Sequence, residues 1–412
     1  MQTKISQQYQ NTPLGQLAND VLRTCVHCGF CNATCPTYQL LGDELDGPRG
    51  RIYQIKQVLE GQPVSYKTKQ HLDRCLTCLN CETTCPSGVQ YHHLLAIGQK
   101  MVSDKVQLPF QKRLLRQMIL FTMPYPKRFN FLVKLGQLFK PLMPAVLSKQ
   151  LPEKSSRTEI EIPKPQNRKM LLLSGCVHKS ISPDIHQHSI KLLEKLGIEL
   201  LLEENQNCCG ALTHHMQDEQ KTLTFVTSNI DKWSTLLESG IEKIISNASG
   251  CGVMVKDYPH FIKTSLGQDS TYYPKAIKIA EQTKDIGEVI QNEDFLSLKI
   301  DANYQKIAYH PPCTLQHGQK LPELVESLLQ QIIDKHQQKI ALIPVKDKHL
   351  CCGSAGTYSL MNPSISHQLR DNKLKGLKSN EADVIATANI GCLHHLQAGT
   401  KTKVTHWIQL LE

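Results

Sequence analysis

Short runs of consecutive apolar residues recur from residue 169 onward, and four of them lead into a cysteine. The four segments are KMLLLSGC, KIISNASGC, QKIAYHPPC and DVIATANIGC. Stretches with helical spacing, such as SIKLLEKLG and PELVESLLQQIIDK, lie between them. Runs this short favour buried strands, and their alternation with helices predicts an α/β fold. In open parallel sheets, functional groups collect at the carboxyl ends of the strands, which is where these cysteines fall.

Residues 48–60 show a helical pattern instead. The sequence PRGRIYQIKQVLE places Ile52, Ile55 and Leu59 on one face, and Gly61 follows as a stop signal. This pattern predicts a helix within a mainly α-helical N-terminal domain.

The size and composition of the chain indicate a multidomain globular protein. A chain of 412 residues is longer than a domain with a single hydrophobic core usually is, so two or three domains are expected. Hydrophobic residues make up 40% and charged residues 20%, which is typical of soluble proteins. We find no apolar run of about 18 residues and no signal-peptide pattern at the polar N-terminus. The sequence therefore predicts a cytoplasmic protein.

The formal net charge of +10 is concentrated in one segment. From Lys105 to Lys154 there are ten Lys or Arg residues against one acid, Glu153. Residues 107–165 form a proline-containing basic bridge with short apolar stretches. Such segments bind anionic membrane surfaces or acidic partners, or they are solvated linkers packed on adjoining domains. Nucleic acid is a poorer interpretation, because no helix-turn-helix or zinc-finger spacing accompanies the charge.

The chain has sixteen cysteines, which suit metal or cluster ligation better than disulfides in a reducing compartment. Two runs share the spacing C-x-x-C-x-x-C-x-x-x-C-P, one starting at residue 25 and the other at residue 75. In bacterial two-cluster ferredoxins the fourth cysteine of each such run ligates the other cluster. On this rule two [4Fe–4S] clusters are held by Cys25, Cys28, Cys31 and Cys85, and by Cys35, Cys75, Cys78 and Cys81. Two structural zinc sites are the alternative, and they rarely need this spacing twice.

Arg49 and Arg51 lie in the predicted helix between the two runs. They either approach the anionic clusters or face solvent, and the usual exposure of arginine favours the second interpretation.

The eight remaining cysteines form an internal repeat in which a Cys, a Cys-Cys-Gly and a Cys occur in each copy. The two sets are Cys176, Cys208, Cys209 and Cys251, and Cys313, Cys351, Cys352 and Cys392. Four thiols in each copy are enough for one further cluster or zinc ion. A thiol redox centre and buried structural cysteines remain alternatives.

Histidines near these cysteines are candidate ligands or proton donors, although a hydrogen-bonded structural role is the favoured interpretation for each. They are His178, His214, His215, His310, His394 and His395. The sequence shows no dinucleotide fingerprint, P-loop or nucleophile elbow. Electrons are therefore expected to come from a partner protein, and no catalytic residue is assigned.

The predicted domains are 1–106 for the two clusters, 107–165 for the bridge, and 166–295 and 296–412 for the two Cys-Cys-Gly repeats. The fold class is thus an α-helical two-[4Fe–4S] ferredoxin-like domain followed by two duplicated α/β cysteine-rich domains.

This plan resembles the family of glycolate oxidase iron–sulfur subunits. The stretches that carry the resemblance include CVHCGFCNATCPTYQLLGDELDGPRGRIYQIKQVLEG, HLDRCLTCLNCETTCPSG, NASGCGVMVKDY, CTLQHGQKL, HLCCGSAGTY, QLRDNK, ATANIGC and HWIQLLE. Lactate-utilisation proteins, anaerobic glycerol-3-phosphate dehydrogenase C subunits and heterodisulfide reductase subunits share parts of it.

The resemblance implies a subunit of a membrane-associated oxidoreductase, peripheral on the inner face of the cytoplasmic membrane. Flavin-bearing partners would oxidise glycolate to glyoxylate, and this chain would pass the electrons toward a quinone-linked acceptor. Lactate or glycerol 3-phosphate is the alternative donor, and a zinc- or cluster-stabilised scaffold is a third hypothesis. Heterodisulfide reductase relatives have a further cysteine where this chain has Met254 and His395, which weakens the case for their chemistry here.

Overall fold

The computed structural model describes residues 1–140, 164–203 and 206–412, so residues 141–163 of the predicted bridge lie outside the described residues. The chain divides into two compact units. One, here called the cluster unit, comprises Met1–Gln117, His215–Gln217 and His349–Lys373. The other, here called the sheet unit, comprises Met118–His214, Asp218–Lys348 and Leu374–Glu412.

Helices build the N-terminal part of the chain, as predicted. They are Gln7–Gln10, Pro13–Thr24, Phe30–Ala33, Pro36–Leu41, Pro48–Leu59, Tyr66–Asp73, Asn80–Thr83, Tyr91–Lys105, Phe110–Thr122 and Pro126–Phe139, with a 3-10 turn at Glu44–Asp46. Among the described residues, no helix is both long and apolar enough to cross a membrane.

The helix Pro48–Leu59 confirms the prediction made from its periodicity, because Ile52, Ile55 and Leu59 are all buried. Proline at its first position fits the missing amide hydrogen there. The helix packs against Tyr91–Lys105. At this crossing a Cβ on Gly98 would lie 2.5 Å from Ile55 Cγ1, so only glycine lets the two helices approach so closely.

Two four-stranded parallel sheets form the sheet unit, which confirms the α/β prediction. Their strands are β1 Arg168–Leu172, β2 Ile198–Leu202, β3 Ile244–Ser246, β4 Thr283–Asp285, β5 Lys306–His310, β6 Ala341–Leu342, β7 Val384–Thr387 and β8 Lys403–His406. The strand orders are β2-β1-β3-β4 and β6-β5-β7-β8. Because the two orders are equivalent, the sheets are structural copies, as the cysteine repeat predicts.

Helices connect these strands and follow them. They are His178–Ile181, Pro183–Lys195, Ala211–His215, Glu219–Glu238, Ser249–Lys256, Tyr258–Leu266, Tyr272–Gln282, Ile286–Gln291, Leu324–Lys335, Tyr358–Met361, Pro363–Gly376 and Ile390–Gln397. Short 3-10 turns lie at Phe295–Ser297 and Trp407–Leu410, and a π-helical turn at Thr314–Gly318.

The repeated cysteines occupy equivalent positions in the two copies. Cys176 and Cys313 each follow the first strand of a sheet, β1 and β5 respectively. Cys251 and Cys392 each lie in the first turn of the helix that follows β3 or β7. This places the lone cysteines at the carboxyl ends of strands, where parallel sheets carry functional groups.

Candidate functional site

The first cavity of the cluster unit contains about 430 Å³ of empty space. Its lining includes Cys25, Cys28, Cys31 and Cys85, which is the four-cysteine set predicted for the first cluster. Three of these residues come from the first run and one from the end of the second run. The fold therefore brings the fourth thiol of the second run to the first run, as the ferredoxin spacing requires.

The second cavity contains about 380 Å³ and has the reciprocal composition. Its lining includes Cys35, Cys75, Cys78 and Cys81. Cys81, Pro48 and Tyr91 line both cavities, so the two cavities adjoin. The ligand assignment stays a prediction, and four thiols around each cavity fit a [4Fe–4S] cluster.

Left-handed backbone turns explain how two-residue gaps aim successive thiols at one cavity. In the first run His27 and Gly29 have φ of 63° and 88°, and in the second run Thr77 and Leu79 have φ of 50° and 61°. These positions are equivalent in the two runs. Three non-glycine residues thus adopt a conformation that L-residues rarely use, which is typical of backbone held around a bound group.

Burial raises the pKa of several of these thiols. The pKa of Cys31 rises to about 11 and that of Cys25 is also raised, in both cases mainly because burial disfavours the charged thiolate. Such thiols are protonated near neutral pH unless a metal displaces the proton. The site is therefore suited to metal ligation, in which binding releases protons.

Arg51 lies fully buried beside the second cavity, and the expectation that it faces solvent is wrong. It is 1% exposed and lines that cavity. Its Nε donates to the carbonyl of His71 at 2.7 Å, and its Nη2 donates to Thr37 Oγ1 at 3.2 Å. The reason for its burial is positional, since Arg51 precedes Ile55 by four residues and shares its face. That spacing is the signal that would have located it from sequence.

Asp46 balances the buried guanidinium. One of its carboxylate oxygens lies 3.6 Å from Arg51 Nη2, and the other accepts from Arg74 Nη1 at 2.8 Å. Because Asp46 is also 1% exposed, these charges interact in a poorly screened environment. Burial alone would lower the pKa of Arg51, but nearby acidic groups, among them Cys75, raise it on balance.

Polar groups also surround the second-run thiols. The Tyr91 hydroxyl donates to Cys75 Sγ at 3.6 Å, and the Thr77 amide donates to the same sulfur at 3.4 Å. Thr37 Oγ1 lies 3.2 Å from Cys35 Sγ. Sequence reasoning missed Tyr91 and Thr37, because neither belongs to a recognisable motif. If a cluster binds there, hydrogen bonds to its ligand sulfurs would affect its reduction potential.

The first cysteine-rich copy brings its four thiols together. Cys208 is hydrogen-bonded to Cys176 and to Cys209, and these contacts lower its pKa well below the ordinary value. Cys209 is hydrogen-bonded to Cys251 as well. Cys208 and Cys209 are both buried. The chain of contacts confirms that residues distant in sequence converge, and the donor set fits a four-thiolate metal or cluster site.

The second copy distributes its cysteines over the two units. Cys313 and Cys392 lie in the sheet unit, and Cys351 and Cys352 lie in the cluster unit. All four are buried. Their role as ligands stays a prediction.

Four histidines in the sheet unit are neutral near pH 7 because burial lowers their pKa. Burial lowers the pKa of His186 and His394 to about 4 and that of His406 to about 3, and it places that of His178 well below 6.5. His186 Nε2 lies 2.8 Å from the carbonyl of Ser174, and His394 Nε2 lies 3.0 Å from Ser182 Oγ. For His394 this is the hydrogen-bonded role favoured by the sequence.

A helical unit with two adjoining cysteine-lined cavities, joined in one chain to duplicated cysteine-rich α/β domains, defines an iron–sulfur electron-transfer protein. Family comparison agrees with this class. A 4Fe-4S dicluster domain model matches residues 21–89, and a cysteine-rich domain model matches residues 170–256 and 307–397.

The chain belongs to the family of glycolate oxidase iron–sulfur subunits. It is 44% identical to the glycolate oxidase iron–sulfur subunit of Escherichia coli, over 100% of this chain and 98% of that protein. It is 27% identical to the probable glycolate oxidase iron–sulfur subunit of Bacillus subtilis, over 99% of this chain and 97% of that protein. Lactate utilization protein A of Bacillus licheniformis is 26% identical over 59% of this chain and 98% of that protein.

Proposed function

We propose that this chain carries electrons from flavin-bearing subunits that oxidise glycolate to glyoxylate. The observation that carries the proposal is the pair of adjoining cavities, each lined by one predicted set of four cysteines drawn from both runs. Two [4Fe–4S] clusters supply one-electron carriers when bound there. The polypeptide would hold the two clusters close together and shield the second run from water. Arg51 and Asp46 would fix the charge beside the second cluster.

Full-length similarity to glycolate oxidase iron–sulfur subunits supports glycolate as the donor. Lactate is the second candidate, since lactate utilization proteins match a part of the chain. The test is anaerobic purification of the native complex, followed by addition of each substrate. Bleaching of the visible spectrum with glycolate alone supports the proposal, and bleaching with lactate alone refutes it.

The four thiols of the first cysteine-rich copy support an additional metal or cluster site. Because Cys176, Cys208, Cys209 and Cys251 are already in contact, the metal needs little rearrangement to bind. Metal analysis of Cys209→Ser against the wild-type protein tests this proposal. A metal content equal to that of the wild-type protein contradicts it.

We further propose that the basic helices place the protein on the inner face of the cytoplasmic membrane. The helices Phe110–Thr122 and Pro126–Phe139 each present an exposed apolar stripe at helical spacing. The exposed side chains are Phe110, Leu114, Met118 and Phe121 on the first helix, and Phe131, Leu132, Leu135, Leu138 and Phe139 on the second. They are nine of the eighteen exposed large apolar side chains among the described residues.

Positive charge accompanies these stripes. The segment 110–140 contains seven Lys or Arg residues and no acidic residue. Arg128 stacks over the Phe121 and Tyr125 rings at 4.3 Å from each centroid. Apolar stripes flanked by cations are typical of helices that lie in an anionic lipid interface, where each cation contributes about 1 kcal/mol.

Sedimentation with lipid vesicles tests the membrane proposal. We expect binding to phosphatidylglycerol vesicles that falls with added salt, and little binding to phosphatidylcholine vesicles. Phe131→Asp and Leu135→Asp should weaken it, whereas Leu266→Asp, at a leucine of similar exposure on another helix, should not. Equal binding by all three variants contradicts the assignment of this surface.

A further inference from the structure

The two cysteine runs have the same spacing but very different exposure, although both lie in the cluster unit. Val26 and Phe30 of the first run are 67% and 63% exposed. The residues at the equivalent positions of the second run, Leu76 and Asn80, are 4% and 2% exposed. The predicted ligands show the same difference in exposure, since Cys28 of the first run is exposed and the equivalent Cys78 of the second run is buried.

A segment from the C-terminal half of the chain covers the second run. Asn80 Nδ2 donates to the carbonyl of His349 at 3.1 Å and to that of Thr34 at 3.0 Å. Asn362 Nδ2 donates to the carbonyl of Asp73, two residues before the run, at 3.3 Å. The segment His349–Lys373 thus contacts Asn80, which is the position equivalent to the exposed Phe30.

The covering segment also carries redox-capable groups toward the second run. It contains the second Cys-Cys-Gly motif and Tyr358, which is 7% exposed. Burial raises the pKa of Tyr358, and both Cys75 and Cys351 are close enough to influence it.

The open face suits a redox protein. Val26, Cys28 and Phe30 all line the first cavity, so a partner seated on them approaches the first cluster directly. Without a partner, the large apolar side chains of Val26 and Phe30 remain exposed to water beside the predicted ligand Cys28. Contact with a partner protein would bury them.

We propose that Val26, Cys28 and Phe30 form the docking face for the flavin-bearing partner, so that electrons enter at the first cluster and pass from it to the second. This inference rests on the proposed function. In each step one electron moves: the reduced flavin of the partner is oxidised as the first cluster is reduced, and the first cluster is reoxidised as the second is reduced. The partner contacts one run, and the chain itself covers the other.

Photocrosslinking in the native complex tests the docking face without introducing a charge. With p-benzoylphenylalanine at position 30, we expect crosslinks to the flavin-bearing subunit. The same group at Tyr66, an exposed aromatic position of the same unit, is the control and should not crosslink to that subunit. Crosslinks from position 30 to lipid or to a second copy of this chain, or no crosslink at all, overturn the proposal.

Kinetics provide the second readout. Val26→Asn and Phe30→Gln add no charge beside the first cavity and should slow reduction of the clusters by glycolate at least about tenfold, since a polar side chain in an apolar contact weakens binding. Reduction by dithionite shows whether the clusters of each variant are still present and reducible. Reduction of both variants at the wild-type rate overturns the proposal.

These outcomes separate the docking face from the identity of the donor. If position 30 crosslinks to a flavin-bearing subunit but glycolate reduces nothing, the assignment of glycolate fails and the docking face stands. If glycolate reduces the clusters but position 30 makes no crosslink, the docking face fails and the function stands.

Discussion

Removal of the buried charge of Arg51 should lower the reduction potential of the second cluster. Arg51→Gln replaces a cation that is 1% exposed with a neutral side chain. The Arg51 Nη2–Thr37 Oγ1 and Thr37 Oγ1–Cys35 Sγ contacts are both 3.2 Å, so Nη2 lies within about 6.4 Å of that sulfur. Loss of the cation makes addition of an electron to the neighbouring cluster less favourable.

The size of the effect follows from Coulomb's law. At an effective dielectric constant of about 20, unit charges about 6.4 Å apart interact by about 2.6 kcal/mol. Since about 1.4 kcal/mol corresponds to about 59 mV for one electron, the potential should fall by roughly 0.1 V. Asp46 remains partnered, because Arg74 and His71 contact it at 2.8 Å and 3.0 Å. The variant therefore leaves no unpaired buried carboxylate.

An EPR-monitored redox titration of the holo-complex measures this shift. Arg51→Lys keeps the positive charge, so the reduction potential of the second cluster should stay close to the wild-type value. Arg49→Gln is the matched control, because Arg49 is 35% exposed, lines the first cavity and pairs with Glu44. It should leave the second cluster unchanged. The electrostatic reasoning is refuted if Arg51→Gln leaves the second-cluster potential at the wild-type value, or if Arg51→Lys lowers it equally.

Three further predictions concern ligation, packing and pH. Cys35→Ser, in the first run, should damage the cluster of the second run, and Cys85→Ser, in the second run, should damage the cluster of the first. EPR spectra that show each substitution damaging the cluster of its own run would contradict the crossed ligation. Gly98→Ala should destabilise the fold by about 1–3 kcal/mol in thermal melts, because its methyl group would clash with Ile55. Adding Ile55→Ala should relieve part of this loss. If the double variant loses the sum of the two single losses, the clash is contradicted. Burial raises the pKa of Asp285 to about 7, above its unfolded value, so the stability it contributes should fall by roughly 3 kcal/mol as the pH rises from 4 to 7. Asp285→Asn should flatten that slope, and an unchanged slope contradicts it.

The inner strands of both sheets were predictable from the sequence, and the outer strands were not. β1, β3, β5 and β7 are the central strands, and burial on both faces makes them continuous apolar runs. The edge strands include β4, with the sequence TKD, and β6, with the sequence AL. Segments of two or three residues are too short to show strand periodicity, so pairing with a central neighbour defines them.

The candidate site shows the same division between local and long-range information. Cysteine spacing predicted both four-thiol sets, because tight turns and a crossing ligand are local properties of the runs. The burial of Arg51 depends on helix packing, and the cover over the second run comes from residues 349–373. The spacing of a motif cannot report which distant segment folds onto it.

The central claim is that electrons from glycolate reach the two clusters of this chain. Its most direct test is an anaerobic preparation of the native complex, followed by visible and EPR spectroscopy as glycolate and then lactate is added. We predict rapid bleaching and reduced [4Fe–4S] signals with glycolate, and their absence with lactate. Clusters that dithionite reduces but glycolate leaves oxidised would contradict the claim.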